Sequence, residues 1–347
     1  MTRDEKYMQR AVDLAKLAGV NAAPNPMVGA VIVWKDNIIG EGYHQKFGEA
    51  HAEVNAVNAV QDKSLLAEST IYVTLEPCAH YGKTPPCADL LVTHQFKRVV
   101  IGTQDPFAKV NGAGINRLKE AGIQVDTGVL EKECKELNKR FFTFHEKKRP
   151  YIVLKWAESR DGFLDQEETD LHEIVWITGT LSKILTHTQR SQESAIMVGW
   201  KTIAADNATL TVREVDGKNP LRFIIDPQLK SPKDSTVFTD GLPTVVLNDL
   251  KSEQKGALTH VQLSPLNVYS ICDYLHQTNI LSVYVEGGSL THQHLIDANL
   301  WDEIYRFIGP NNFNKGTKAP SIQATPINQR TIEQDELIHY INPSNGI

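Results

Sequence analysis

His51 and Glu53 in "HAEV", and Cys78 and Cys87 in "LEPCAHYGKTPPC", combine the residue types of a hydrolytic metal site. One imidazole and two thiolates make the three protein ligands of a catalytic zinc, which leaves its fourth tetrahedral position to water. Both cysteines directly follow a proline, a residue suited to a first helical turn. A thiol at a helix start meets the positive end of the dipole and ionises readily, so both are expected at helix N-termini. His51 and Glu53 are two residues apart, and on a helix they would point about 200° away from each other. That separation suits a division of labour. The histidine reaches the metal, and the carboxylate moves a proton from the activated water to a ring nitrogen as an amine leaves. Zinc nucleobase deaminases carry this order, H-x-E followed by P-C-x-x-C, with the glutamate as proton shuttle rather than ligand.

The elements that must hold these groups follow from the apolar pattern. A helix is expected over Met8 to Leu17, ending at Gly19, then a rigid loop with Pro24 and Pro26 and a strand over Val28 to Val33. "AHAEVNAVNAV" reads as helix, "STIYVTL" as strand, "CADLLVTHQF" as helix and "KRVVIGTQDP" as a strand with its loop. "GINRLKEAGIQVDTG" gives a helix and a strand, and "LEKECKELNKRFFTFHE" one closing helix. The alternation predicts an α/β domain with mixed or parallel pairing. The basic cluster, proline and fresh β run of "KKRPYIVLKW" mark a boundary, giving domains over 1–146 and 147–347. That agrees with a prior of roughly 150 residues per domain. In the second domain "SAIMVGW", "LRFIID", "TVVLN", "SVYVEGG" and "DEIYRFIG" read as strands and "LTHQHLIDANL" as helix, with no internal repeat of the first.

Composition narrows the function classes. Of 347 residues, 36 Lys and Arg against 42 Asp and Glu leave a net charge of −6, without the broad basic surface that nucleic acid requires. No apolar run approaches the ~20 residues of a membrane span. The N-terminal "MTRDEKYMQRAVDLAKLAG" lacks the apolar core of a signal peptide, and the four cysteines are too scattered for a disulfide framework. A cytoplasmic enzyme acting on a small molecule is expected. "YGKT" is not a phosphate loop, because Pro77 stands where the first glycine would be, so Lys83 reads as a substrate contact. No G-x-G-x-x-G occurs, which disfavours an ordinary dinucleotide fold. The Gly-Gly turn after "SVYVE" instead places Gly287, Gly288 and Ser289 at a helix start, where backbone donors receive a cofactor phosphate.

The eight residues "AHYGKTPP" between the cysteines depart from the two of the general signature. With "PNPMVGAVIV", "GEGYH", "HAEV", "YVTLEPCAHYGKTPPC" and Asp105–Pro106, the stretch from about residue 7 to 145 resembles the deaminase half of the bifunctional riboflavin-biosynthesis deaminase/reductase family. The resemblance implies a zinc-dependent, cytidine-deaminase-like α/β/α domain that deaminates 2,5-diamino-6-ribosylamino-4(3H)-pyrimidinone 5′-phosphate. It implies substrate contacts from Asn25, His44, His80, Lys83, Asp105 and Asn111, although Asn25 and Asp105 also suit simple loop capping.

"LKWAESRDG", "WIT", Arg190, "MVGWKTIAADNATLTVR" and "VYVEGGSLTHQHLI" resemble the family's reductase half over roughly 151 to 310. A dihydrofolate-reductase-like α/β domain is implied, using NADPH to reduce the ribosyl group of 5-amino-6-(5-phosphoribosylamino)uracil to ribityl. Motif positions imply cofactor contacts at Ala157, Trp176, Thr202, Asp206, Gly288, Ser289, Leu290, Thr291, His292, Gln293 and His294. They imply substrate contacts at Lys155, Arg190, Leu210, Arg213 and Glu286. Two arginines suit a ribose phosphate, since a guanidinium donates two parallel hydrogen bonds, although surface ion pairing also accounts for single arginines. Ile174 stands where the family has a serine, Trp200 where it has a small residue, and the 163–175 segment is unusually acidic. A homodimer or homotetramer is implied. Two rivals make different demands. A tRNA or free-base deaminase calls for the short P-C-x-x-C and a basic face. A zinc-stabilised scaffold calls for a fourth protein ligand, for which His80 is the candidate.

Overall fold

Thr2 caps the first helix, α1 (Arg3–Lys16): its hydroxyl accepts the Glu5 N–H at 3.2 Å, and the Glu5 carboxylate accepts the Thr2 N–H at 2.6 Å. This reciprocal cap starts the helix five residues before the expected Met8. The computed structural model describes residues 1–81, 85–107, 110–166 and 176–345, so Lys83 and Ile174 lie outside the described residues. The chain divides into two compact units, Met1–Lys148 and the chain from Arg149 onward.

After α1 the first unit runs through β1 (Gly29–Trp34), β2 (Asn37–Tyr43), α2 (Ala52–Ala59), β3 (Thr70–Leu75), α3 (Cys87–Thr93) and β4 (Arg98–Thr103). It continues with α4 (Ala113–Glu120), β5 (Gln124–Thr127), α5 (Glu131–Leu137) and α6 (Lys139–Lys147). The sheet order is β2-β1-β3-β4-β5, with β1 antiparallel to both neighbours and β3, β4 and β5 parallel. Strand alternation makes the layers. Val31, Val33, Tyr72 and Val100 pack with α1 and α5, while Ala30, Ile32, Val73 and Ile101 pack with α2, α3 and α4. Each aliphatic side chain so buried contributes about 1.5–3 kcal/mol.

One element was not read from the sequence, and one expectation is corrected. The segment after Val33 contains a second strand, because Lys35 and Asp36 both adopt left-handed φ (45° and 66°) and close a hairpin without the usual Asn-Gly signal. The closing helix is two helices. Asn138 breaks it at φ −112°, ψ 25°, and its side chain instead bonds both the N–H and the carbonyl of Met27 at 2.8 Å. The break anchors the proline loop.

The second unit comprises β6 (Tyr151–Glu158), α7 (Thr180–Ser191), β7 (Ala195–Gly199), α8 (Trp200–Asp206), β8 (Leu221–Ile225), α9 (Thr236–Thr239) and β9 (Thr244–Asn248). Then follow β10 (Glu253–Lys255), β11 (Leu258–Gln262), α10 (Val268–Gln277), β12 (Ser282–Gly287), α11 (Ser289–Asp297), β13 (Glu303–Ile308), β14 (Asn328–Ile332) and β15 (Asp335–Ile341). Its ten-stranded sheet, in the order β10-β11-β9-β8-β7-β12-β6-β13-β15-β14, is parallel from β11 to β13 and antiparallel at both margins. Parallel strands buried on both faces read as continuous apolar runs, as "AIMV" in β7 does. The run expected to be strand through Trp200 stops at Gly199, which leads directly into α8. Exposed β14 has no apolar alternation, so no strand was legible there. Among the described residues no helix is long and apolar enough to cross a membrane.

Candidate active sites

The glycines of "GEGYH" seat the helix that carries the first site. A Cβ on Gly42 would stand 2.4 Å from the Ala56 nitrogen, and one on Gly40 would stand 2.5 Å from the Ala56 oxygen, so only glycine lets α2 lie this close to β2. His51 then caps α2 from extended backbone (φ −72°, ψ 164°), and Glu53 is buried in the first turn. Because His51 stands outside the helix proper, the two side chains escape the divergence of a continuous helix.

From the opposite side, β3 delivers Glu76, Pro77 and Cys78, and Cys87 opens α3. Only Cys87 is at a helix start; Cys78 lies in irregular chain after β3, against expectation. Its sulfur nevertheless accepts the Cys87 N–H at 3.3 Å and so uses the first donor of α3. His51 Nδ1 is 3.3 Å from Cys87 Sγ and 3.7 Å from Cys78 Sγ, and the three ligand atoms lie within 4.8 Å of one another. Tetrahedral zinc with bonds of about 2.0–2.3 Å sets its ligands roughly 3.5–3.8 Å apart, so the donor set fits the ion.

Among the described residues no fourth His, Cys, Asp or Glu joins this group. His80 is exposed and packs edge-on to Phe107, 6.1 Å between ring centres. Three protein ligands are the count of a catalytic zinc, whereas a closed structural site uses four.

Without a cation between them, two facing thiols share a single negative charge, whereas a bound zinc would hold both as thiolates. Hydrogen bonds from Cys87 and His51 bring the Cys78 thiol down to about 4, while Cys78 and burial drive Cys87 up. The ionised Cys78 raises His51, and burial, aided by Cys78, lifts Glu53 to about 6.

Around the metal group, His44 Nδ1 donates to the Ala50 carbonyl at 3.1 Å, which leaves Nε2 to accept the Asn25 amide at 3.1 Å. Burial lowers the His44 pKa, in keeping with this neutral form, and its ring stands edge-on to His51 at 5.4 Å. Asp105 caps its own loop, its Oδ1 accepting the Phe107 N–H at 2.8 Å, and its other oxygen has no partner among the described residues. Burial lifts its carboxyl to about 7. Asn111 is exposed and bonds Gln104 at 2.8 Å.

One residue escaped the sequence reading. Buried Glu76 accepts four backbone N–H groups, those of Asp105 (3.3 Å), Gly112 (2.9 Å), Gly114 (2.9 Å) and Ile115 (3.2 Å). It ties the Asp105 and Asn111 segment to the Pro-Cys turn. The only signal in the sequence was a carboxylate between a buried strand and Pro-Cys.

In the second unit the candidate residues gather at the carboxyl ends of β6, β7 and β12, where parallel sheets bind ligands. Gly287 (φ 146°) and Gly288 form a cradle: a Cβ on Gly287 would stand 3.3 Å from Thr202 Oγ1, and one on Gly199 would stand 3.2 Å from Thr291 Oγ1. No side chain caps α11 at Gly288. Backbone donors and two threonine hydroxyls around side-chain-free glycines fit a cofactor phosphate. Ala157 lies near the end of β6, and exposed Trp176 carries the Lys183 ammonium 4.6 Å from its ring centre. Partial burial and nearby Asp165 raise the carboxyl of Asp206, which ends α8.

The 288–294 stretch does not act as one surface. Ser289 Oγ donates to the Lys318 carbonyl, Leu290 and His294 are exposed, and Gln293 bonds Asp297 and Ser321. His292 is a correction: its side chain is fully buried against Trp156 and bonds the Val285 carbonyl at 3.0 Å, so it faces the core and not the crevice. Burial brings its pKa down to about 4.

Two expected substrate contacts hold each other. Arg190 forks onto both oxygens of Glu286 at 2.8 Å and also donates to the Thr211 carbonyl. Burial favours the neutral acid of Glu286, but Arg190 and Lys155 outweigh it and the carboxyl titrates below its ordinary range. Burial lowers Lys155 on the neighbouring strand. Leu210 is buried with φ 57°, and Arg213 bonds Thr209 Oγ1 at 2.8 Å.

A family model described as the cytidine and deoxycytidylate deaminase zinc-binding region matches residues 1–103, and one described as the RibD C-terminal domain matches residues 150–341. The chain belongs to the RibD family. Riboflavin biosynthesis protein RibD of Aquifex aeolicus is 40% identical over 321 residues, covering 90% of this chain and 88% of that one. RibD of Bacillus amyloliquefaciens is 40% identical over 330 residues, covering 92% and 87%. The crystal structure of a diaminohydroxyphosphoribosylaminopyrimidine deaminase/5-amino-6-(5-phosphoribosylamino)uracil reductase from Thermotoga maritima is 35% identical, with a TM-score of 0.87 over 98% of this chain and 99% of that one. As a RibD family member the chain is a bifunctional deaminase/reductase of riboflavin biosynthesis. It joins a zinc-dependent, cytidine-deaminase-like α/β/α unit to an NADPH-dependent α/β reductase unit.

Proposed function

We propose that the first unit hydrolytically deaminates 2,5-diamino-6-ribosylamino-4(3H)-pyrimidinone 5′-phosphate, and that the second reduces the ribosyl group of the resulting 5-amino-6-(5-phosphoribosylamino)uracil to ribityl. The similarity to the Thermotoga protein, which is described by these two activities, supports the substrates. The observation that carries the reading is the group of three ligands, with no fourth among the described residues, beside buried Glu53. In the same reading residues 1–146 and 147–347 are the two catalytic domains of a cytoplasmic homodimer or homotetramer.

His51, Cys78 and Cys87 hold the zinc, whose Lewis acidity makes a water molecule acidic near neutral pH. Glu53 takes a proton from the attacking water and gives it to the ring nitrogen, then carries the second water proton from the new hydroxyl to the amine, which departs as ammonia as the carbonyl forms. Asn25, fixed by His44, and the Asp105 oxygen that has no partner among the described residues orient the pyrimidine. Lys83, His80 and Asn111 are the remaining candidate contacts.

In the second unit Gly287, Gly288, Ser289, Thr202 and Thr291 surround a cofactor phosphate, with Trp176, Ala157 and Asp206 as flanking contacts. Bound NADPH supplies the hydride. Lys155 and the Arg190-fixed Glu286 face the sugar carbon that is reduced, Leu210 shapes the pocket, and Arg213 takes the phosphate.

Zinc-loaded enzyme given the diaminopyrimidine phosphate is expected to release ammonia, and with NADPH to accumulate the ribityl product, both identified by mass. After chelation, ammonia release should cease while supplied deaminated intermediate is still reduced. Ammonia release at full rate from metal-free protein rules out the proposed site.

A further inference from the structure

His187 stands on α7 one turn before Arg190 and is only 2% exposed. Its Nδ1 accepts the backbone N–H of Arg213 at 3.1 Å. A ring nitrogen that accepts carries no proton, so neutral His187 has its hydrogen on Nε2. Burial, with Arg190 and Arg213 nearby, brings its pKa down to about 4, so this form persists through the neutral range.

The turn that His187 touches is anchored at nearly every residue. Arg222 donates to the Thr209 carbonyl at 3.0 Å, Leu210 is buried with φ 57°, Arg190 donates to the Thr211 carbonyl, and Asn219 accepts the Val212 N–H at 2.8 Å. The Arg213 N–H is the last of these anchors, and His187 is its acceptor. Beyond it the guanidinium makes one bond, to Thr209 Oγ1 at 2.8 Å. Its other N–H groups have no partner among the described residues and remain available to an anion.

We propose that His187 is a positioning residue of the reductase, the acceptor that seats the Thr209–Arg213 turn so that the Arg213 guanidinium meets the substrate phosphate. This rests on Arg213 being a phosphate contact, and the experiment separates the two claims. KM and kcat for reduction are measured on zinc-loaded, full-length H187L, H187N and R213A with saturating NADPH. The deaminated substrate and its dephosphorylated form are compared.

R213A and H187L should each raise KM for the phosphorylated substrate roughly tenfold or more, the order of one lost hydrogen bond, with kcat nearly unchanged. Neither should change KM for the dephosphorylated form, NADPH affinity or ammonia release. H187N, whose side-chain oxygen falls near the position of Nδ1, should recover most of the loss. An unchanged KM in H187L beside a raised one in R213A overturns the role of His187. So does a rise in H187L that is equal for both substrate forms, or one that H187N does not relieve. An unchanged KM in R213A removes the phosphate contact itself. Should H187L fail to fold, H187Q lacks an acceptor at the Nδ1 position and carries the same expectations.

Discussion

In the first unit three metal-ligating groups and a carboxylate, all within residues 51–87, converge on one point, and the loops around them are held by neutral backbone donors on Glu76 and Asn138. In the second, the candidate residues are spread from 155 to 294, and two of them, Arg190 and Glu286, grip each other through buried charge; away from the site, buried Arg222 likewise holds Asp240 at 2.6 and 2.7 Å. The contrast follows from the chemistry. Hydrolysis at a metal needs particular atoms in one place, and only a few residue types supply them. Hydride transfer is performed by the cofactor, so the protein contributes a shaped crevice that many sequences can build.

The largest effect expected is also the most selective. Glu53→Gln keeps the size of the side chain but removes the proton shuttle, and ammonia release should fall by about 10³-fold, within the range of general acid–base groups. Metal analysis should still find zinc, and reduction of supplied intermediate should be unaffected. Full ammonia release would erase the distinction between a reactive centre and a shaped one.

Glu76→Ala should come next. It leaves four backbone donors without their acceptor, and the first unit should lose about 3 kcal/mol in urea unfolding, with deamination reduced and zinc retained. A loss near zero would mean that the Asp105 and Asn111 segment is held elsewhere. Asp206→Ala tests the more diffuse site, where removing one contact of many should weaken NADPH binding by only about tenfold, read by fluorescence titration. A much larger loss would mean the crevice depends on single residues as the metal site does.

Acid should reveal the smallest difference. Arg222 hydrogen bonds hold Asp240 below the ordinary carboxylate range, and Glu286 is depressed on balance by Arg190 and Lys155. For groups with depressed folded values, the stabilisation is complete above the unfolded values of about 4 and is lost as pH falls through the folded ones. The second unit, followed by fluorescence of buried Trp156 and Trp301, should therefore lose stability progressively below about pH 4, and Asp240→Asn should flatten that slope. An equal slope in the variant would show that the pair is not what acid titrates.

Much of the fold was legible because apolar runs bounded by glycine and proline mark strands wherever both faces are buried, as in β3, β4, β7 and β12. Hidden elements lacked that signal. The β1–β2 hairpin turns on two charged residues, and the break at Asn138 coincides with its side-chain amide bonding Met27, more than a hundred residues earlier. His292 lies in a motif-matching stretch, yet helical geometry turns its ring toward Trp156.

By itself the sequence determined the metal chemistry, since an imidazole, two thiols and a carboxyl in that order leave few other uses for the same atoms. It also determined the α/β alternation, since strand and helix periods are local. Only the tertiary structure decided that Cys78 borrows the first donor of another segment's helix, that Glu76 gathers four distant amides, and that Arg190 is already engaged by Glu286. Those partners are separated by up to 96 residues along the chain, and strand order, which no local pattern encodes, brings them within bonding distance.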